Sequence, residues 1–325
     1  MKKILSFILA IIITTGVIAL PSCMNRTDNA VNVSVLNGTT GFGMANLIEQ
    51  NANSQTKNSY NFKIEKDASK IMAGLLNKSI DIAALPTNAA ATAFNNTNGG
   101  VQIIAINTLG VLTIMQNGEG ERINNINDLE GKVIHCPKQN PAQILNYILK
   151  QNNVNATVKT DFAAPADLVS AFMTQKTKDD KGGEIAIDID IAVIPQPMAT
   201  TVLNKKGNSG YSIALDLTKE WNKVSPEELV QGCVVVRTEF LEEFPGSVKD
   251  FLREYKKSID FTNENPKQAG ELIAKYEIAN DASLAEQAIP SCNITYIDGK
   301  DMENKMQNFL NALGIKLNEG TFYYK

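Results

Sequence analysis

The sequence predicts an α/β protein built as two similar lobes, each a mainly parallel sheet flanked by helices. Three observations carry that expectation. Apolar strand-like runs alternate with helix-like segments over most of the 325 residues, the pattern of parallel sheets covered on both faces. The chain is longer than the ~250–300 residues at which a single hydrophobic core stops growing. Most telling is an internal repeat. Residues 80–92 (Ile-Asp-Ile-Ala-Ala-Leu-Pro-Thr-Asn-Ala-Ala-Ala-Thr) return as residues 189–201 (Ile-Asp-Ile-Ala-Val-Ile-Pro-Gln-Pro-Met-Ala-Thr-Thr), with seven of thirteen positions identical at a shift of 109.

In the first copy, residues 31–36 form a strand that runs into Asn37-Gly-Thr-Thr-Gly-Phe-Gly43 and a helix. Residues 61–65 form a second strand, and Asp67 caps a helix carrying Ile71, Met72, Leu75 and Leu76. The next strand ends at Pro86, whose fixed φ and missing N–H suit the start of a helix. Residues 101–107 are the fourth strand. The second copy repeats the series. Strand 132–135 leads into Cys136-Pro-Lys-Gln-Asn-Pro141, strand 157–161 follows, and Pro165 opens a helix with Leu168, Val169, Phe172 and Met173. A strand ending at Pro195 and a strand over 211–217 complete it. The stretch 176–184, rich in Lys, Asp and Gly, reads as a surface insertion in this copy alone. Two apolar strands, 109–116 and 232–237, lack partners within their own copies, so each is expected to enter the opposite sheet. One lobe is then 31–108 plus 233–325, and the other 109–232. In the tail, Val248, Phe251, Leu252, Tyr255 and Ile259 form one apolar helix stripe, and Asn265-Pro266 starts a second helix.

The N-terminus carries a different message. Met1-Lys2-Lys3 is a basic start, residues 4–20 hold no charged side chain, and Pro21-Ser22-Cys23 follows. This reads as an export signal over residues 1–22; the alternative is an uncleaved membrane anchor, since 17 apolar residues reach the lower edge of spanning length. The cysteine after Leu-Pro-Ser resembles a bacterial lipobox, in which Cys23 is diacylated on sulfur and becomes the mature N-terminus. Residues 23–30 then form a flexible lipidated leash at the outer face of the cell membrane. With Cys23 so used, Cys136, Cys233 and Cys292 remain, an odd number. A bridge between Cys233 and Cys292 is one expectation, and three buried apolar thiols the other.

Composition removes several functions. Charge of both signs is scattered, with 31 Lys and Arg against 35 Asp and Glu, so no nucleic-acid surface is expected. A single His and four Cys offer little for a metal or for acid/base work. Cys136 and His135 are adjacent on a strand and so face opposite ways, which argues against a nucleophile and base pair. No enzyme activity, cofactor or metal is expected.

The export signal, two discontinuous α/β lobes, Asp128-Leu-Glu-Gly-Lys132, Asp190-Ile-Ala-Val-Ile-Pro-Gln-Pro197 and Phe240-Leu-Glu-Glu-Phe-Pro-Gly-Ser-Val-Lys-Asp-Phe251 together resemble type II solute-binding proteins of ABC importers. Within these the chain is most similar to the nitrate/sulfonate/taurine branch and its relatives that bind thiamine-precursor pyrimidines. The resemblance implies a two-lobed clamshell of the type II periplasmic-binding-protein kind. It also implies capture of a small organic solute between the lobes and delivery of that solute, by a monomer, to a membrane permease and its ATPase. A sensor module presenting the solute to a membrane receptor is the alternative.

Ligands of open α/β sheets sit at the carboxyl ends of the strands, where helix N-termini favour anionic or acceptor groups. That rule selects Gly38, Thr39, Thr40, Gly41 and Phe42 from the first loop and Thr87 and Asn88 from the second. From the other lobe it selects Lys138, Gln139, Asn140 and Gln196. The same residue types are also ordinary turn and cap residues. Lys138 is the one formal cation among them, so a small, largely neutral or monoanionic solute suits the lining best. Phe42, Phe94 or Trp221 could stack on it, and His135 could reach it.

Overall fold

A computed structural model describes residues 30–324 apart from 119, 120, 139, 163, 180 and 206–209. The expected signal segment, Cys23 and Gln139 lie outside the described residues.

The chain runs first through β1 (Ala30–Leu36), α1 (Thr39–Phe42), α2 (Ala45–Ala52), β2 (Ser59–Glu65), α3 (Ala68–Leu76), β3 (Ile82–Pro86), α4 (Thr87–Asn96) and β4 (Val101–Leu109). It continues through β5 (Leu112–Asn117), β6 (Val133–His135), α5 (Asn140–Gln151), β7 (Thr157–Lys159), α6 (Pro165–Thr174), β8 (Lys176–Lys178), β9 (Glu184–Ala186), β10 (Ile191–Pro195), α7 (Met198–Asn204), β11 (Tyr211–Asp216) and α8 (Leu217–Val224). The last third holds β12 (Val230–Arg237), α9 (Thr238–Glu243), α10 (Pro245–Glu264), α11 (Pro266–Lys275), α12 (Ala282–Ala288), β13 (Ile294–Ile297) and α13 (Gly299–Ala312).

Two sheets result, ordered β13-β4-β12-β3-β1-β2 and β11-β5-β10-β6-β7. Their plans correspond. In each, the first copy strand lies between the second and third, parallel to both. One antiparallel strand is then wedged between the third and the fourth: β12 in the first sheet and β5 in the second. Each wedge follows the fourth strand of the other lobe in sequence. The chain therefore passes between lobes at residues 110–111 and again between α8 and β12. At the first passage a Cβ on Gly110 would come within 2.1 Å of the Thr218 hydroxyl and 2.9 Å of Leu229, so only glycine fits. The stretch after α6 is an antiparallel hairpin of β8 and β9. The tail adds an edge strand, β13, that sequence patterning did not single out. Tyr324 and Phe322 extend that edge through backbone bonds to Ile103.

Alternation along the strands sorts the core into layers. Leu85, Ile106 and Cys233 face one side of the first sheet and pack with Ile71 and Leu75 of α3 and with Met302, Met306 and Phe309 of α13. Ala84, Ala105 and Val234 face the other, under α1, α2, α10, α11 and α12. The first layer continues into the second lobe through Ile114, Ile134, Leu145 and Trp221. Trp221 is fully buried, with Tyr147 at 4.6 Å and Phe309 at 5.6 Å between ring centroids. Its indole N–H donates to the Glu227 carbonyl at 2.7 Å. Helix α13 thus rests on the first sheet and touches the second lobe. The remaining face of the second sheet packs Met115, Ala192 and Ile194 against Leu168 and Phe172 of α6 and Val202 of α7.

This layering corrects the expected disulfide. Cys233 and Cys292 are free and buried, and they belong to opposite faces of the first sheet. A sheet stands between them, beyond the short reach a disulfide allows. Burial pushes the Cys136, Cys233 and Cys292 thiols up from their ordinary value, which makes all three poor nucleophiles. The aspartates shared by the repeat also part ways. Asp81 is wholly buried and accepts from the Asn32 N–H at 2.9 Å, its Nδ2 at 3.1 Å and the Arg237 guanidinium at 2.9 Å. Asp190 is exposed. Asp81 fastens β1 to the end of β12, at the strand ends remote from the helix-starting loops.

Two outcomes follow from this packing. Titration of the unfolded chain over residues 24–325 without reductant should yield three thiols; a yield of one would restore the bridge. Asp81→Ala takes one of two carboxylates from a guanidinium that is 11% exposed and still has Glu239 at 2.9 Å, and it leaves the Asn32 donors unmet, so chemical denaturation should register a loss of about 1–3 kcal/mol.

Candidate functional site

The carboxyl ends of the parallel strands of both sheets converge on an interlobe cleft. A cavity of about 840 Å³ lies there. From the first lobe it is lined by Leu36 at the end of β1, Lys66 to Ser69 and Met72 around the start of α3, and Asn88, Ala89 and Thr92 in the first turns of α4. The second lobe supplies Lys138 and Gln143 from the start of α5 and Ala164 and Pro165 before and at the start of α6. Ile315, beyond α13, closes an apolar side with Leu36 and Met72. The charged members Lys66, Asp67 and Lys138 are exposed, so formal charge sits at the rim. Asp67 is already engaged as the cap of α3. Its carboxylate accepts the Ser69 N–H at 2.8 Å, and that bond holds its pKa below the ordinary value.

Beside this cavity the two lobes touch. Thr87, wholly buried, donates its hydroxyl to the Val230 carbonyl at 3.2 Å. Its oxygen receives the Asn140 side-chain N–H across the seam at 3.4 Å, a long bond. Asn140 is 5% exposed, and its Oδ1 has no hydrogen-bond partner among the described residues. A second contact, from Asn204 Nδ2 of α7 to Gln287 Oε1 of α12 at 2.6 Å, joins the lobes elsewhere.

The other sequence-selected residues separate into distinct roles. Gly38 takes φ 102 at the cap of α1, a conformation that suits glycine, and its N–H goes to the Ile278 carbonyl at 3.0 Å. Thr39 and Thr40 are half-buried. The Thr40 carbonyl accepts from Asn107 at 3.0 Å. Gly41 is glycine for packing and not for a ligand, because a Cβ would lie 2.6 Å from the Leu36 carbonyl and 2.8 Å from Val35 and Ile278. Gly43 likewise faces Ile259 at 2.7 Å. Phe42 is fully buried among the side chains under α10, so its expected place in the cleft is corrected: the single turn of α1 aims the ring into the first lobe. Phe94 and Trp221 are also fully buried, Phe94 against Phe322 at 4.7 Å, and neither can stack on a solute. Gln196 is buried. Its Oε1 accepts the Thr200 hydroxyl at 2.8 Å and its N–H meets the Val111 carbonyl at 2.9 Å. Its side chain therefore secures the start of α7, next to a smaller cavity of about 340 Å³ that also borders Gly110, Asp216 and Asn293. So the structure joins Asn88 with Lys138 and Thr87 with Asn140, and sets Gln196 apart.

Sequence reasoning passed over Asn107, Lys66 to Ser69, Ala164 with Pro165, and Ile315. The rule that found the four loops, applied to the ends of β2 and β7 as well, reaches residues 66–69 and 164–165. Asn107 could have been noticed as the amide at the end of an apolar strand. It is 1% exposed and donates to both the Thr40 carbonyl and the Tyr255 hydroxyl, each at 3.0 Å, tying the first loop to α10.

His135 ends β6 with 3% exposure, 6.2 Å from the Phe162 ring, while Cys136 packs on the opposite face with Ile134 and Ile144. Burial first, and Lys159 second, lower the His135 pKa.

The family model described as NMT1/THI5 like matches residues 66–269. A protein of Brucella abortus (strain 2308), described as a binding protein, is 25% identical over 197 residues, which is 59% of this chain and 54% of that one. The chain thus spans about half the length of the curated relatives it matches. Among solved structures, an ABC transporter protein from Parabacteroides distasonis superposes with a TM-score of 0.70 at 17% identity, covering 92% of this chain and 99% of that one. The periplasmic aliphatic sulphonate binding protein of Escherichia coli does so with 0.64 at 14% identity, over 86% and 90%. These likenesses are of fold.

The chain has a single histidine, so its imidazole can be followed alone by NMR, and it should titrate below 6.5. With the folded pKa under the unfolded value, the unfolded chain holds more protons between the two, and stability should fall as pH drops through that window. His135→Gln should flatten that fall; a midpoint above 6.5 contradicts the burial.

Proposed function

Because the chain belongs to the NMT1/THI5-like family and has the fold of periplasmic binding proteins, we propose that it captures a small organic solute in the interlobe cleft and hands it to an ABC permease. It is a type II solute-binding protein and not an enzyme. The observation that carries the reading is the cavity of about 840 Å³ at the carboxyl ends of the parallel strands of both sheets, walled by the neutral amides of Asn88 and Gln143, the hydroxyls of Ser69 and Thr92 and apolar side chains, with its charged members Lys66, Asp67 and Lys138 exposed. That volume falls in the range of small-molecule sites.

The mechanism is a population shift. Only the segments at residues 110–111 and between α8 and β12 carry the chain between lobes, so rotation about them opens and closes the cleft. The proposed division keeps to the expected 31–108 with 233–325 and 109–232, moved at those passages so that Leu109 of β4 and residues 230–232 of β12 go with the first lobe. A solute that touches both lobes favours the closed arrangement by no more than its differential affinity for it. The starts of α4, α5 and α6 direct backbone N–H groups and partial positive charge toward the cleft, which suits a sulfonate, carboxylate or ring acceptor. The amides of Asn88 and Gln143 and the hydroxyls of Ser69 and Thr92 in the lining supply orientation. Lipid attachment at Cys23 and export by residues 1–22 would set this work outside the cell membrane, beside the permease. No helix of the described residues is long and apolar enough to cross a membrane.

A thermal-shift screen of residues 24–325 against sulfonates, pyrimidines, amino acids and nucleobases tests the reading. A ligand present at 100 times its dissociation constant should stabilise by about 2.7 kcal/mol. Asn88→Trp, placed in the lining, should abolish that gain while leaving the circular dichroism spectrum unchanged. Calorimetry that finds equal affinity in the variant would move the site elsewhere.

A further inference from the structure

We infer that the smaller cavity, beside the first passage, is a second solute site that takes a small zwitterion such as an amino acid, independently of what the larger cavity holds. Its volume of about 340 Å³ stands at the lower end of small-molecule sites, and it shares no described lining residue with the larger cavity. Both lobes build it. Gln196, Asp216 and Lys219 come from the second lobe, Pro290 and Asn293 from the first, and Gly110 from the passage between them.

The buried member of this lining decides what fits. Two orientations of the Gln196 amide are chemically possible, and the Thr200 backbone N–H, which can only donate, selects one of them by meeting Oε1 at 3.3 Å. Nε2 is then the free end. It has no acceptor among the described residues, and it is not one of the buried atoms sealed from solvent. Gln196 is 6% exposed and lines the cavity, so the contact that Nε2 keeps is made on the cavity wall, where an acceptor on a solute completes it. Asp216 and Lys219 are the only charged residues among the described lining. Asp216 commits Oδ1 to the N–H groups of Thr218 at 2.9 Å and Lys219 at 3.3 Å, which leaves Oδ2 open. The Lys219 ammonium is exposed and has no ion pair among the described residues. From the facing lobe, Asn293 donates Nδ2 to the Gly110 carbonyl and keeps Oδ1 as an acceptor. A solute that matches this set offers an anionic acceptor to Gln196 and Lys219 and an ammonium to Asp216 and Asn293. A zwitterion does both without adding net charge, whereas an acid or an amine alone leaves one half unmet. Held by residues of both lobes across the first passage, it favours the closed arrangement.

Calorimetry on residues 24–325 with glycine, L-alanine, β-alanine and γ-aminobutyrate tests the assignment, with propanoate and propylamine as the two half-ligands. At least one zwitterion should bind, and each half-ligand should be weaker by roughly tenfold to a hundredfold, the span of a lost hydrogen bond to a charged group. Gln196→Glu keeps the oxygen that Thr200 uses and replaces the donor, and Asp216→Asn keeps the cap of α8 and removes the charge. Each should weaken the zwitterion by a similar factor with the circular dichroism spectrum unchanged. Asn88→Trp, which fills the larger cavity, should leave the zwitterion bound. Silence from all four zwitterions overturns the inference, as does an affinity unchanged in both Gln196→Glu and Asp216→Asn. Binding that is lost in Asn88→Trp puts the zwitterion in the larger cavity, which overturns the second site and supports the importer reading. That reading falls only if the broad screen is silent.

Discussion

The structure depends on an exchange of strands. Each sheet takes one antiparallel strand that follows the fourth strand of the other lobe, β12 between β3 and β4, and β5 between β10 and β11. A strand inside a sheet has both edges satisfied, and withdrawing it would expose two rows of unpaired backbone groups. Neither lobe can therefore separate or slide its register without breaking the centre of the other. The freedom that remains is rotation about two short passages, and Gly110, pressed against Thr218 and Leu229, gives the first of these its tight bend. A clamshell follows from connectivity before any ligand is considered.

Behind that hinge, the continuous apolar layer through Phe309, Trp221 and Tyr147 keeps the two lobes in contact on one side. The cleft is the opposite condition. Beside it the lobes meet through one long polar bond, Asn140 to Thr87, while Asn204 meets Gln287 elsewhere on the seam. Strong, water-excluding packing at the axis and weak, exchangeable bonding at the mouth is the distribution a capture device needs, since affinity for the guest has to exceed what the empty mouth already makes. Lys66, Asp67 and Lys138 line the cavity at exposed positions, beside neutral amides, hydroxyls and apolar side chains.

Much of this was legible in the chain because the determinants are local. Pro86 and Pro195 mark strand ends wherever they occur, the repeat ties the two marks together, and the alternation of apolar runs gives the layers. The site was legible only as a set of loops. Which way a single turn aims its side chains is decided by the surface beneath it, so Phe42, in a four-residue helix, carried no sign that it points inward. The same holds for Gly41 and Gly43, whose missing side chains answer to Leu36, Ile278 and Ile259 and not to a guest. Cys233 and Cys292 looked compatible because sequence separation says nothing of sheet face. Asp81 and Asp190 are equivalent in the repeat, yet one is buried against Arg237 and the other exposed, because only β12 brings an arginine to that corner. Ile315 follows the last helix with no periodicity around it, and its place in the cleft is set by distant partners: Asn95 holds its neighbours Lys316 and Asn318.

The tail's contribution to the first sheet bears on how the chain is made. β12, β13 and the backbone pairing of residues 322–324 with Ile103 come from the final third of the sequence, while the strands they complete come from the first. Such long-range pairing waits for its partner and is slow to nucleate. Until β12 has left the ribosome, β3 and β4 have no strand between them and the first sheet stays open. A polypeptide that cannot close early is one that a narrow translocation pore can still thread.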